Sequence, residues 1–290
     1  MYVFRATVVG AGTMGGEIAQ TIASAGLSVV LKDVEQKFVD QGLEKAHEVT
    51  QGQLAGLVKK EKISQEEADR QLEEVVGRVT GTTEYEGFGE VDFVVEAVPE
   101  RMQIKQAVFA ELDALTPGHA ILASNTSALS ITEIGEATSR PDRVVGFHYF
   151  YPASIMRLIE VIEGDETSEE TMQAALNFAQ QIRKQPIRCA EVPGFVVNRI
   201  LNSAVSEIWR VQDEEGIDPK EIDRIVQESK AAPMGPFFLG DLLGLDTVLH
   251  VAEHLHESYG DRFFVSPKMK ELVEAGNLGQ KSGKGFYEHS

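Results

Sequence analysis

A histidine and a glutamate on neighbouring predicted strands are the residues of this sequence best suited to proton transfer. His148 follows the strand predicted at 143–147, and Glu160 lies inside the apolar run at 158–162. A carboxylate in a buried strand is unfavourable unless it is paired and hydrogen-bonded, so Glu160 needs a partner, which His148 can supply. Such a carboxylate fixes the imidazole tautomer and stabilises the protonated ring. The pair would therefore serve as a general base and acid.

Polar residues also follow two other predicted strands, where they could complete the same site. Glu96 and Glu100 follow one strand, and Ser127 offers a hydroxyl after another. Ligands of open α/β sheets bind at the carboxyl ends of the strands, so we expect these side chains near His148. Two structural explanations stay open for Glu160: a pair with an arginine, or an exposed edge strand on which the carboxylate is solvated.

The beginning of the chain has the spacing of a dinucleotide-binding turn. A strand ending at Val9 runs into a G-x-G-x-x-G sequence, and a helix is predicted from about Glu17 to Ala25. In this motif the first glycine permits a tight turn, the second lets a pyrophosphate approach the backbone, and the third allows helix and strand to pack closely. The helix N-terminus adds N–H groups and a partial positive charge for the phosphates. The predicted cofactor contacts are Gly10, Ala11, Gly12, Thr13, Met14 and Gly15.

An acidic residue after the second predicted strand indicates which dinucleotide is bound. Asp33 follows the apolar run at 27–31, where a carboxylate can accept hydrogen bonds from the adenosine ribose hydroxyls. The same charge would repel a 2′-phosphate, and no arginine lies nearby to accept one. We therefore expect NAD rather than NADP as the cofactor. A glycine-rich turn in another kind of α/β protein is the alternative.

Composition indicates a globular protein and excludes several kinds of partner. The chain has 290 residues, of which 42% are hydrophobic and 25% charged, and its net charge is −19. This charge argues against binding nucleic acid or an anionic membrane surface. No window holds 18 consecutive apolar residues, which excludes a membrane span. No metal site is predicted, because His250 and His254 share a helix face without a third ligand.

Two features favour a cytoplasmic location. The first strand begins close to Met1, which leaves no room for a signal or transit peptide. The single Cys189 excludes an internal disulfide, as is usual in a reducing compartment.

The predicted elements place these residues on a doubly wound parallel sheet of Rossmann type, an α/β domain over residues 1–190. A helical stretch over 36–76 extends from it. Breaks at Gly52 and Gly56, and a capping box at Ser64-x-x-Glu67, predict a helical hairpin. The hairpin is either a ligand clamp or a solvated insert. The remaining strands are predicted at 78–82, 91–95, 120–123, 143–147 and 158–162.

Residues 191–290 are predicted to form a smaller, all-α domain. Asp218-Pro219 and Ser266-Pro267 each place an N-cap residue before a proline in the first helical position. Helices are predicted at 195–214, 220–229, about 240–259 and 267–274.

Seven short motifs occur in order along the chain. They are Gly-Ala-Gly-Thr-Met-Gly-Gly at 10–16, Val-Val-Glu-Ala-Val-Pro-Glu at 94–100, Ser-Asn-Thr-Ser at 124–127, His-Tyr-Phe-Tyr-Pro at 148–152, Leu-Ile-Glu-Val at 158–161, Pro-Gly-Phe-Val-Val-Asn-Arg at 193–199 and Lys-Ser-Gly-Lys-Gly-Phe-Tyr at 281–287. Together they resemble the 3-hydroxyacyl-CoA dehydrogenase family over essentially the whole chain. Tyr151 occupies a position where many members carry asparagine, which leaves the acyl chain-length preference open.

The resemblance implies NAD-dependent interconversion of (S)-3-hydroxyacyl-CoA and 3-oxoacyl-CoA in fatty acid metabolism. A short chain is expected, such as 3-hydroxybutyryl-CoA and acetoacetyl-CoA. In this family His148 would be the catalytic base with Glu160 as its partner. Ser127 would hydrogen-bond the reacting oxygen, and Asn198 would bind or polarise the substrate.

The resemblance also implies further contacts. Positions near the cofactor are matched by Glu100, Lys105, Ser127 and Lys281, and the hairpin lysines, such as Lys59, fall where the family contacts coenzyme A. A homodimer formed through the α-domain is implied as well. Two other functions stay open: an NAD-dependent dehydrogenase of a free hydroxy acid or sugar acid, and a non-catalytic NAD-binding structural protein.

Overall fold

The computed structural model describes residues 2–289, and the chain divides into two compact units, Met1–Glu191 and Val192–Ser290. The first unit is built around one eight-stranded sheet with the spatial order β3-β2-β1-β4-β5-β6-β7-β8. The strands are β1 (Arg5–Val9), β2 (Ser28–Lys32), β3 (Val79–Thr82), β4 (Phe93–Glu96), β5 (Ile121–Ser124), β6 (Val144–Tyr149), β7 (Leu158–Glu163) and β8 (Gln185–Ala190).

Helices alternate with most of these strands. The helices of the first unit are α1 (Thr13–Ser24), α2 (Gln36–Lys59), α3 (Gln65–Val76), α4 (Met102–Leu115), α5 (Ile131–Gly135) and α6 (Glu169–Gln181). The second unit is helical, as the sequence predicts, with α7 (Val197–Glu215), α8 (Pro219–Glu228), α9 (Pro236–Leu243), α10 (Leu245–Tyr259) and α11 (Pro267–Glu274). The predicted fold class, a Rossmann-type α/β unit followed by a smaller α-helical unit, is confirmed.

The sheet is parallel over its first six strands and reverses direction once. Strands β1 to β6 pair in parallel, whereas β6 and β7 are antiparallel. The expectation of a parallel sheet is therefore wrong for β7, and β8, which the sequence analysis does not predict, runs parallel to β7. The reason is the connection at 150–157, which contains no helix. A parallel return needs a longer crossover, usually helical, whereas a short loop reverses the chain.

Sequence patterns do not single out helix α6 or strand β8. Apart from the buried Cys189, the residues of β8 are exposed or partly buried, as on an outer strand, so they carry no continuous apolar signal. Helix α6 covers one face of the sheet, where the ring of Phe178 lies 4.3 Å from that of Phe93 and 5.8 Å from that of Phe147, between centroids. These contacts join sequence-distant segments, and local patterns do not report them.

The helical hairpin is present, but its turn lies beyond the two glycines expected to break it. Helix α2 continues through Gly52 and Gly56, and the turn lies at 60–64. An isolated glycine costs a helix only about 1 kcal/mol, which packing can offset. At Ser64 the predicted cap is confirmed, because its side chain accepts a hydrogen bond from the N–H of Glu67 at 3.1 Å.

Two other predicted helix boundaries are also wrong. Helix α1 begins at Thr13, directly after the glycine turn, rather than near Glu17. The single helix expected at about 240–259 is two helices, because Gly244 adopts a φ of +94° that an α-helix cannot accommodate. Among residues 2–289, no helix has the length and apolar character needed to cross a bilayer.

Candidate active site

The three glycines of the first turn have the geometry that a dinucleotide requires. Gly10 has a φ of +100°, and a Cβ there would lie 2.5 Å from the carbonyl oxygen of Ala97. At Gly15 a Cβ would collide with the carbonyl of Gly10, so only glycine lets α1 pack this closely on the strand end. A Cβ at Gly12 would meet nothing within 4 Å. The turn is therefore closed on its inner side and open at Gly12, where a pyrophosphate would approach.

The N-terminus of α1 completes this cradle. Its N-cap residue is Gly12, which has no side chain to cap the helix, and the residue is exposed. The N–H groups of the first turn can therefore meet an anion, and the helix dipole favours negative charge there.

Asp33 binds the glycine turn itself. Its Oδ2 accepts a hydrogen bond from the N–H of Ala11 at 2.7 Å, and its Oδ1 accepts one from the N–H of Val34 at 2.7 Å. The carboxylate thus holds the turn from the end of β2 and keeps lone pairs for further donors. The predicted contact with the ribose hydroxyls is compatible with this position and stays a prediction.

Replacing Asp33 should separate its two tasks. Asp33→Asn keeps an oxygen acceptor for Ala11 but removes the charge that repels a 2′-phosphate, so we expect the NAD-to-NADP preference in kcat/KM to narrow by about tenfold. Asp33→Ala should in addition raise the KM for NAD, because the turn loses its anchor. Steady-state kinetics with both cofactors measures this, and an unchanged preference in both variants would remove Asp33 from cofactor selection.

The ends of β1, β4 and β5 align along one edge of the sheet, level with the middle of β6. Val9 of β1 pairs with Glu96 of β4, Glu96 with Ser124 of β5, and Ser124 with Gly146 of β6. Strands are spaced by about 4.8 Å, so the glycine turn and His148 lie along the same edge, about 14 Å apart. The switch point of the sheet, between β1 and β4, lies within this span.

His148 and Glu160 form the pair predicted from the sequence. They are directly opposite in the antiparallel ladder of β6 and β7, with Nδ1 of His148 2.9 Å from Oε2 of Glu160. His148 is 6% exposed and Glu160 is fully buried. On its other side Glu160 is level with Ile187 of β8, so the alternative of a solvated edge strand is wrong. A fully buried carboxylate against one ring nitrogen leaves Nε2 as the basic atom of the neutral imidazole.

Ser127 is held by Glu100, which is held in turn by Lys105. Oε1 of Glu100 accepts hydrogen bonds from the N–H of Ser127 at 2.9 Å and from its hydroxyl at 3.3 Å. Nζ of Lys105 lies 3.1 Å from Oε2 of Glu100 and 2.8 Å from Oε1 of Glu96. Burial disfavours the ionised form of Glu100, but Lys105, Thr126 and Ser127 outweigh it and lower the pKa of this carboxyl.

One residue that sequence reasoning did not select, Asn125, contacts the backbone directly after His148. Oδ1 of Asn125 accepts a hydrogen bond from the N–H of Tyr149 at 2.8 Å. The β5–β6 ladder ends at Ser124, so the Asn125 side chain extends it by one bond beside His148. The signal available in the sequence was its place directly after a buried strand.

The remaining predicted residues are Lys59 in the first unit and Asn198 and Lys281 in the second. Lys59 is exposed in the last turn of α2. It lies about 9 Å further along the helix axis than Gln53, whose amide donates to the carbonyl of Ser154 at 3.2 Å in the loop that follows β6. In the second unit, the carbonyl of Asn198 accepts a hydrogen bond from Nδ2 of Asn202 at 2.9 Å.

Lys281, also in the second unit, is bound to an acidic residue. Its Nζ lies 2.6 Å from Oδ2 of Asp246. Across residues 2–289, no group of three or more histidine, cysteine or acidic side chains could hold a metal ion.

Two family models together cover almost the whole chain. Residues 5–192 match the model described as 3-hydroxyacyl-CoA dehydrogenase, NAD binding domain, and residues 194–289 match the C-terminal domain of the same family. The chain belongs to the 3-hydroxyacyl-CoA dehydrogenase family. The resemblance inferred from the seven motifs is confirmed, and the protein is an NAD-dependent 3-hydroxyacyl-CoA dehydrogenase rather than a non-catalytic NAD-binding protein.

Individual relatives match over their full length. The chain is 40% identical to a probable 3-hydroxybutyryl-CoA dehydrogenase of Deinococcus radiodurans, over 97% of this chain and 99% of the relative. It is 39% identical to a 3-hydroxybutyryl-CoA dehydrogenase of Clostridioides difficile, over 99% of each. The crystal structure of (S)-3-hydroxybutyryl-CoA dehydrogenase from Ralstonia eutropha superposes with a TM-score of 0.90 at 37% identity, over 100% of both chains.

Proposed function

We propose that this dehydrogenase acts on short-chain (S)-3-hydroxyacyl-CoA thioesters, with 3-hydroxybutyryl-CoA as its preferred substrate and acetoacetyl-CoA as the product. The observation that carries the proposal is the 2.9 Å contact between Nδ1 of His148 and the buried Oε2 of Glu160. The substrate class is supported by the names of the relatives from Deinococcus radiodurans, Clostridioides difficile and Ralstonia eutropha.

His148 would move the proton of the reaction. Glu160 accepts a hydrogen bond from Nδ1–H, so the neutral ring presents the lone pair of Nε2 to the 3-hydroxyl group of the substrate. Nε2 takes the hydroxyl proton during oxidation, and the carboxylate of Glu160 stabilises the imidazolium that results. In the reverse direction the protonated ring donates to the 3-oxo oxygen. Such general acid–base catalysis contributes about 10²- to 10⁴-fold in rate.

The cofactor would be held by the glycine turn and by the acidic and basic residues around it. NAD supplies the hydride acceptor when it is bound. The open backbone at Gly12 and the N-terminus of α1 fit a pyrophosphate, and Asp33 fits the ribose of the adenosine half. The residues proposed to hold the cofactor are Gly10, Ala11, Gly12, Thr13, Met14, Gly15, Asp33, Glu100, Lys105, Ser127 and Lys281.

Three side chains would bind the substrate. The hydroxyl of Ser127 would donate to the reacting oxygen, and Asn198 would polarise the same part of the substrate. Lys59 would meet the phosphates of coenzyme A. With a net charge of −19 the protein as a whole repels such an anion, so local cations such as Lys59 are needed to bind it.

Comparing a thioester with its free acid tests this function. We expect kcat/KM for (S)-3-hydroxybutyryl-CoA to exceed that for free 3-hydroxybutyrate by at least about a hundredfold, because coenzyme A contributes binding energy that the acid lacks. A series of longer acyl-CoA substrates measures chain-length preference in the same assay, and the (R)-thioester serves as the control. Equal or better turnover of the free acid would contradict the proposal in favour of a hydroxy acid dehydrogenase.

We also propose that the protein is a cytoplasmic homodimer that associates through its helical unit. Exposed apolar side chains on this unit support a second copy as the partner, since burying them would remove apolar surface from water. They are Ile200, Leu201 and Val211 on α7, Ile225 on α8, and Phe238, Leu242 and Leu243 on α9. The single cysteine, Cys189, is compatible with a reducing compartment.

A further inference from the structure

Glu96 is a buried carboxylate to which the proposed reaction gives no role. It ends β4 and has no exposed surface. Its Oε1 accepts hydrogen bonds from Nζ of Lys105 at 2.8 Å and from the N–H of Val98 at 2.7 Å, and its Oε2 accepts one from the hydroxyl of Ser124 at 2.6 Å. Burial raises the pKa of the Glu96 carboxyl, and these donors oppose the rise.

Lys105 connects Glu96 to the edge of the proposed site. The ammonium is buried, with 1% of the residue exposed, and it lies between the carboxylates of Glu96 and Glu100. A buried ammonium needs such partners, because removing one leaves its charge poorly compensated. Without the charge of Glu96, Lys105 would interact more closely with Glu100 and compete with the other donors to that carboxylate.

Glu100 transmits this arrangement to the turn that carries Ser127. Its Oε1 accepts from the hydroxyl of Thr126 at 2.6 Å, as well as from the N–H and the hydroxyl of Ser127. From the other side, Ser124 is bound directly to Glu96, so both ends of the 124–127 turn depend on one buried group. A shift of Glu100 therefore moves the hydroxyl proposed to meet the reacting oxygen.

We propose that Glu96 is a positioning residue, which holds the Ser127 hydroxyl in its working orientation through Lys105 and Glu100. This inference rests on the proposed function, because it takes Ser127 as the residue that contacts the substrate oxygen. Replacing Glu96 should then lower turnover strongly only in an enzyme that still has the Ser127 hydroxyl.

A double-mutant cycle between Glu96→Gln and Ser127→Ala tests the proposal. In the otherwise native enzyme, Glu96→Gln is expected to lower kcat/KM for 3-hydroxybutyryl-CoA by about ten- to a hundredfold, since misplacement of a contacting group by about 1 Å can have an effect of this size. In the Ser127→Ala background the same substitution should lower it less than about threefold. Glu96→Asp, which retains the charge, should restore part of the lost activity.

Glu17→Gln is the matched control. Glu17 is also a buried glutamate of the first unit, 2% exposed, but it accepts hydrogen bonds from the N–H and hydroxyl of Ser154 rather than from the 124–127 turn. Its replacement should change kcat/KM by the same factor with and without Ser127. If Glu96→Gln does not fold, as judged by circular dichroism and thermal melting, Glu96→Asp replaces it in the cycle, because it keeps the charge but shortens the side chain that reaches Nζ of Lys105.

The outcomes separate this inference from the proposed function. If Ser127→Ala alone leaves kcat/KM unchanged, the assigned role of Ser127 fails and the inference fails with it. If Ser127→Ala lowers kcat/KM but the factor for Glu96→Gln is the same in both backgrounds, only the positioning role of Glu96 is overturned. The positioning role of Glu96 is supported if the loss of kcat/KM caused by Glu96→Gln disappears in the Ser127→Ala background. The change in kcat/KM caused by Glu17→Gln should be the same in both backgrounds.

Discussion

Replacing His148 with alanine is expected to lower kcat for 3-hydroxybutyryl-CoA oxidation by at least about a hundredfold, and to leave the Kd for NAD within about twofold of its native value. The reason is that the substitution removes the atom proposed to take the hydroxyl proton, while the glycine turn lies about 14 Å away along the sheet edge. Steady-state kinetics gives kcat, and isothermal titration calorimetry gives the Kd for NAD. Quenching of protein fluorescence by NADH gives the affinity for the reduced cofactor in addition.

His119→Ala is a suitable control for the loss of a histidine. His119 also has a carboxylate partner, with Nε2 3.4 Å from Oδ1 of Asp92, but its side chain is 57% exposed. Its replacement should leave kcat close to native. Near-normal turnover by the His148 variant would remove the imidazole from the mechanism, whatever the cofactor affinity.

Replacing Glu160 with glutamine is expected to lower kcat by about 10²- to 10⁴-fold. A glutamine amide can donate to Nδ1 of His148, which favours the tautomer whose proton is on Nε2, and that ring cannot accept the substrate proton. The glutamine side chain also lacks the negative charge with which the Glu160 carboxylate would stabilise the imidazolium. Rates measured in both directions report on the base and the acid form of the ring.

Glu163→Gln is the matched substitution on the same strand. Glu163 pairs with Arg188 at 2.7 Å near the surface, and in the ladder it is Glu160, not Glu163, that lies opposite His148. Its loss should therefore reduce stability by no more than about 1 kcal/mol and leave kcat unchanged. If the two glutamine variants have equal kcat, Glu160 has only a structural role and the proposed acid–base pair is wrong.

Local rules account for the parts of the site that the sequence predicts. Each of the three glycines of the first turn meets a local steric requirement, and their spacing alone predicts a dinucleotide-binding turn. Glu160 is predicted because a carboxylate in an apolar strand demands a partner, and the neighbouring strand offers one residue type that is also useful for catalysis. Both inferences use the residue and its immediate surroundings, so they need no knowledge of the tertiary structure.

Long-range packing decides the parts that the sequence does not predict. The direction of β7 depends on a loop that contains no helix, and the position of α6 depends on contacts of Phe178 with rings far away in the chain. Gly56 and Gly244 have the same low helix propensity, yet Gly56 lies inside α2, whereas Gly244 ends α9. The link from Glu96 to Ser127 likewise passes through Lys105, whose burial only the folded chain determines.

Because the proposed acid–base pair lies on two strands joined by one loop, its function would be sensitive to a shift of their register by a single residue. Side chains alternate between the two faces of a strand, so such a slip would turn the Glu160 carboxylate away from His148 and toward the face where Ile159 and Val161 belong to the apolar core. A deletion inside β7 would therefore abolish the proposed proton transfer, while most of the backbone ladder could still form.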